Sequence, residues 1–171
     1  MKSLNKILFS LMFVNLFGLL SLNAQWVTYK IVNSGHSINF PSEPESISSP
    51  NTSMFVFQSN IGSLIYEVRY IAYNNSGGEV SELEINNRLE KAIDDYNKHT
   101  NSSTVQKSDM FVWKEGHSKT AKSEGPNNLK ANLRAYYVGF KLFLITVSNR
   151  PDYPHPRHVT NFVNTFQQIE Q

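Results

Sequence analysis

The sequence predicts an α+β fold, one antiparallel β-sheet sandwiched by helices, formed by a single domain over residues 25–171. Three observations predict it. First, residues 129–138 and 141–147 are rich in β-formers and flank Gly139-Phe140, a pair that reads as a tight type II′ hairpin. In that register Leu142 faces Tyr137, Phe143 faces Tyr136 and Leu144 faces Ala135. Leu133, Ala135, Tyr137, Leu142 and Leu144 then share one face, and Tyr136, Val138, Phe143, Ile145 and Val147 the other. Two apolar faces place the hairpin centrally in a sheet covered on both sides. Second, Ser81-Glu82-Leu83-Glu84 reads as a capping box and opens a helix over about residues 82–98. Third, Val159, Phe162, Val163 and Phe166 recur at helical spacing and predict a last helix over about 157–168.

The elements follow in chain order. Residues 1–24 read as a secretory signal peptide. Lys2 and Lys6 precede an apolar stretch from Ile7 to Leu20, and Ala24 offers a small residue before the composition changes at Gln25-Trp26. The alternative is a membrane anchor, but the run is shorter than the ~20 apolar residues a spanning helix needs, and Ser10, Asn15 and Gly18 interrupt it. The chain has no cysteine, which excludes lipidation after cleavage, disulfides, a cysteine nucleophile and thiolate metal sites. It carries 16 Lys+Arg against 14 Asp+Glu, and loss of Lys2 and Lys6 leaves the two equal. A neutral chain without a basic cluster is not expected to bind nucleic acid.

Residues 26–32 and 36–40 flank the turn cluster Asn33-Ser34-Gly35 and predict a hairpin, with His36 in its polar phase. Pro41, Pro44 and Pro50 end the strand in a surface loop. Residues 54–58 and 64–73 are two further strands. Leu64, Tyr66, Val68, Tyr70 and Ala72 share one face of the second; Glu67 and Arg69 lie on the other, which reads as partly wet or edge-like. The helix 82–98 carries its apolar stripe on Ile85, Leu89, Ala92, Ile93 and Tyr96, with Val80 and Ile85 at the staple positions. Residues 105–113 and 117–122 read as strands joined around Glu115-Gly116. Gly125-Pro126-Asn127-Asn128 is a turn into the central hairpin, and residues 149–156 are proline-rich and irregular.

The local wording has a likeness. A hairpin leads into Asn39-Phe40-Pro41-Ser42-Glu43-Pro44, followed by Tyr66-Glu67-Val68-Arg69-Tyr70. A helix ends near Tyr96, the strand pair over 133–147 follows, and Phe162-Val163-Asn164-Thr165-Phe166 lies in the last helix. In this order the chain resembles the PsbP-like fold, shared by the photosystem II protein PsbP, the bacterial envelope protein DcrB, a Ran-binding nuclear import factor and many exported bacterial proteins. The resemblance implies an antiparallel sheet between helices and carries over no catalytic residue. It implies no cofactor, and fold-level likeness transfers little function.

Candidate sites are few. Tyr66, Tyr70, Tyr136 and Tyr137 either line a ligand groove on the sheet or belong to its core. Asp152, His155 and His158 are ligand types that suit Zn²⁺, or else residues of a solvated loop broken by Pro154 and Pro156. No G-x-S-x-G, H-E-x-x-H or phosphate-binding glycine loop is present. The reading is a non-catalytic exported module that binds an envelope protein or a small ligand, with no anchor in the mature chain. The alternative is an enzyme with a dispersed site, such as a metal-assisted hydrolase using His155 and His158.

Overall fold

The computed structural model describes residues 26–47, 54–74 and 78–169. The expected signal segment 1–24 lies outside them. The central hairpin forms as β9 (Leu129–Val138) and β10 (Lys141–Asn149), with Leu142 opposite Tyr137, Phe143 opposite Tyr136 and Leu144 opposite Ala135, the expected register. Its turn differs in type. Gly139 and Phe140 both have positive φ, +51° and +62°, which is type I′ rather than II′. The Tyr73 N–H donates to the Phe140 carbonyl at 2.9 Å, so a neighbouring strand holds the left-handed Phe140 in place.

Around this hairpin stand β5 (Leu64–Ala72) on one side and β8 (Gly116–Gly125) on the other. β4 (Met54–Ile61) and the short β3 (Glu45–Ser46) extend the sheet beyond β5. Residues 105–113 do not make one strand. They break at Ser108-Asp109-Met110 into β6 (Ser103–Lys107) and β7 (Phe111–Trp113), and both pair with the outer edge of β8. The resulting sheet has eight antiparallel strands.

One face is covered by α1 (Glu82–Thr100). The Ser81 hydroxyl accepts from the Glu84 N–H at 3.2 Å, as a cap should, while the Glu84 carboxylate pairs with Arg88. Asn101 ends the helix in the left-handed region. Ile85, Leu89, Ile93 and Tyr96 are buried against Ala121, Leu133, Ala135, Tyr137, Leu142 and Leu144. The same face holds Glu67 and Arg69, 2.6 Å apart and with only 9% and 11% of their side chains exposed. That face of β5 is neither wet nor an edge, because β5 lies between β4 and β10 and α1 sits above it.

The other face is covered by a second layer that is only partly helical. A three-stranded sheet of β1 (Val27–Ile31), β2 (His36–Phe40) and β11 (Gln167–Gln168) lies beside α2 (Pro156–Asn164). The last helix is shorter than its apolar spacing predicts. It ends at Thr165, and the chain extends so that Gln167 and Gln168 pair with Ser37 and His36. Phe166 still joins the core, from just beyond the helix. No described helix is long and apolar enough to cross a membrane.

Candidate binding groove

Strand alternation decides what this second layer meets. On the face away from α1, cross-strand rows run Phe143–Tyr70–Phe55, Ile145–Val68–Phe57 and Val147–Tyr66–Ser59 from β10 across β5 to β4. These rows are apolar, save for Ser59 at the end of one, and the second layer packs on them. Continued in the other direction, two of the rows become polar. Arg134 follows Ile145 and is opposite Thr120; Asn132 follows Val147 and is opposite Lys122. The second layer stops short of this half. A groove of about 330 Å³ remains, floored by Thr120, Lys122, Asn132 and Arg134 and walled by Val159 and Val163 of α2.

Arg134 is the unusual member. Its guanidinium carbon lies 4.5 Å from the Trp113 ring centre and 5.7 Å from that of Phe111. Its Nε is buried and has no hydrogen-bond partner among the described residues. Burial also pulls its pKa below the usual arginine value. The described lining of the groove contains no Asp, Glu or His. Sequence reasoning passed over Arg134 and Asn132, although a signal was present: both fall in the apolar phase of a strand expected to be covered on both faces.

The residues singled out from sequence go elsewhere. Tyr66, Tyr70 and Tyr136 are buried in one core, while Tyr137 is buried on the opposite face against α1. Tyr136 and Tyr137 are adjacent in a strand, so they cannot share a face. Burial pushes the Tyr136 hydroxyl up to about 12. His155 is the N-cap of α2, its Nδ1 accepting from the Arg157 N–H at 3.2 Å. The His158 Nδ1 is 3.0 Å from the Tyr66 hydroxyl, and Asp152 is exposed. Among the described residues no three His, Asp or Glu side chains are gathered to hold a metal ion.

His36 is also placed differently from its expected polar phase. It is 4% exposed, stacked on Phe166 at 5.1 Å and tilted on Phe143 at 4.9 Å. Its Nδ1 lies 2.9 Å from the Ser34 carbonyl, which can only accept, so the proton is on Nδ1. Nε2 is buried without a partner among the described residues. Desolvation lowers the pKa below its ordinary 6.5; Lys141 and Lys114 also lower it, while the Ser34 bond and Glu115 oppose. The unfolded state therefore binds the proton more readily. Stability from this group is complete above the unfolded pKa and is lost as pH falls through the folded one. Chemical denaturation between about pH 7 and about pH 5 is expected to show a loss that His36→Leu reduces. Parallel losses in the two proteins would rule His36 out as the cause.

No family model matches the chain, and no curated protein matches it. The solution structure of cyanobacterial PsbP (CyanoP) from Synechocystis is similar, with a TM-score of 0.56 at 12% identity, covering 87% of this chain and 95% of that one. A crystal structure from Bacteroides thetaiotaomicron aligns with a TM-score of 0.42 at 14% identity, over 86% of this chain and 50% of that one. The Pseudomonas aeruginosa protein PA94, of unknown function, aligns at 0.42 and 7% identity, over 74% and 83%. An antiparallel sheet packed between α1 and a layer containing α2, together with the likeness to cyanobacterial PsbP, gives this chain the PsbP-like fold.

Proposed function

We propose that the chain is an exported, non-catalytic binding module of the bacterial cell envelope, and that the groove beside Arg134 takes its ligand. The observation that carries this reading is the uncovered polar half of a sheet face whose other half is sealed by the second layer. The groove offers hydroxyls on Ser108, Thr120 and Thr160, but its described lining has no His, Asp or Glu to serve them as a general base. That composition favours binding over nucleophilic chemistry. The basic start and apolar run of residues 1–24 support export with removal of that segment.

Two measurements test the reading. Full-length chain made in a bacterial host should be recovered outside the cytoplasm with a mass corresponding to loss of about the first 24 residues. A ¹⁵N NMR screen of the mature chain against small-molecule mixtures should then perturb the amides of Thr120, Asn132 and Arg134. Retention of residues 1–24 in the cytoplasm would overturn the envelope assignment. A screen that leaves the groove amides unmoved would overturn the binding role.

A further inference from the structure

We infer that the groove's ligand is a small oxyanion-bearing compound, its carboxylate or phosphate group seated on the Arg134 guanidinium; this rests on the binding-module reading above. Six cations of the described chain are paired with carboxylates: Arg69, Arg88, Lys91, Lys107, Lys119 and Lys130. Arg134 is half-buried and has no such partner among the described residues, although its Nε is withdrawn from solvent. A buried donor left unmade is costly, and one on a charged group more so. An oxyanion on the terminal guanidinium nitrogens, which are not sealed as Nε is, supplies the counter-charge that the described fold does not.

The surroundings favour the same chemistry. Trp113 and Phe111 lie close to the guanidinium and hold it by cation–π contact, which orients its planar fork of donors. Across the strand pair, Thr120 adds a hydroxyl opposite Arg134, and the next row adds the Asn132 amide and the Lys122 ammonium. With no acidic side chain in the described lining, an incoming anion meets no repulsion from the groove. At about 330 Å³ the space is at the small end of ligand pockets and suits a compact metabolite.

The test titrates ¹⁵N-labelled mature chain with inorganic phosphate and, separately, with succinate, against sodium chloride at matched ionic strength. The Arg134 Nε–H signal and the amides of Thr120 and Asn132 are followed. Saturable shifts beyond the chloride control are expected with at least one anion. The tighter of the two identifies a phosphate or a carboxylate ligand. Arg134→Gln should weaken the response roughly tenfold or more, while Arg134→Lys retains part of it by keeping charge without the fork. Unchanged α1 amides confirm that each variant is folded, and the wild-type titration stands without them. Shifts no larger than chloride produces, or an Arg134→Gln titration matching wild type, would overturn the inference. Groove amides that respond only to uncharged fragments would defeat the anion and leave the binding module intact. Amides that respond to nothing would defeat both.

Discussion

Phe166→Ala is expected to cost about 3–5 kcal/mol of folding stability, read by urea denaturation. The ring is 1% exposed and sits where three parts of the fold meet. Its centre lies 4.9 Å from Phe143 of the central hairpin, 5.1 Å from His36 of β2, and 5.6 Å from Tyr136. Trp113 of the β7 edge is 6.1 Å away. Truncation removes buried apolar surface and leaves a cavity that rings anchored in four different strands cannot easily collapse to fill. The Phe166 carbonyl also accepts from the Lys114 ammonium, so the substitution loosens the segment that holds this bond. A loss under about 1 kcal/mol would mean that the second layer is not tied to the sheet through this ring.

Arg69→Met is expected to destabilise by a similar amount, about 3–5 kcal/mol, for an electrostatic reason. Arg69 and Glu67 pair at 2.6 Å beneath α1, and both side chains are largely withdrawn from water. The guanidinium carbon lies 5.1 Å from the Tyr96 ring centre. Tyr96 registers this environment: burial, then the charge of Glu67, push its hydroxyl up to about 12 against the opposing pull of Arg69. Removal of Arg69 alone strands a carboxylate in a dry layer with its attraction gone. The double variant Glu67→Gln with Arg69→Met removes both charges and is expected to recover most of the loss, because desolvation cost and Coulomb gain disappear together. Additive losses in the double variant would show that the two residues are not energetically coupled.

Much of the fold was legible because it is set by neighbours in the chain. The register of β9 against β10 follows from a two-residue turn and strict alternation, and both are local. The α1 cap follows from Ser81, and its buried stripe from the spacing of Ile85, Leu89, Ile93 and Tyr96. Two misplacements were of another kind. The side of β5 bearing Glu67 and Arg69 read as wet because it is charged, but the pair neutralises itself and so tolerates burial under α1. The last helix read as longer because Phe166 continues its spacing, but pairing of β11 with β2 stops it first.

The chain by itself determined the central hairpin, the Ser81 cap, the composition of residues 1–24, and the absence of cysteine chemistry. Those properties depend on residues a few positions apart and on side-chain inventory. Only the tertiary structure decided which half of a sheet face is sealed. The hairpin of β1 and β2 and the helix α2 come from opposite ends of the described chain and land on the β4, β5 and β10 rows. Their joint footprint buries His36, Tyr66, Tyr70 and Tyr136 while leaving Arg134 at the edge of a groove. Periodicity cannot report that footprint: it states which side chains share a face, and only long-range packing states how far along that face the cover extends.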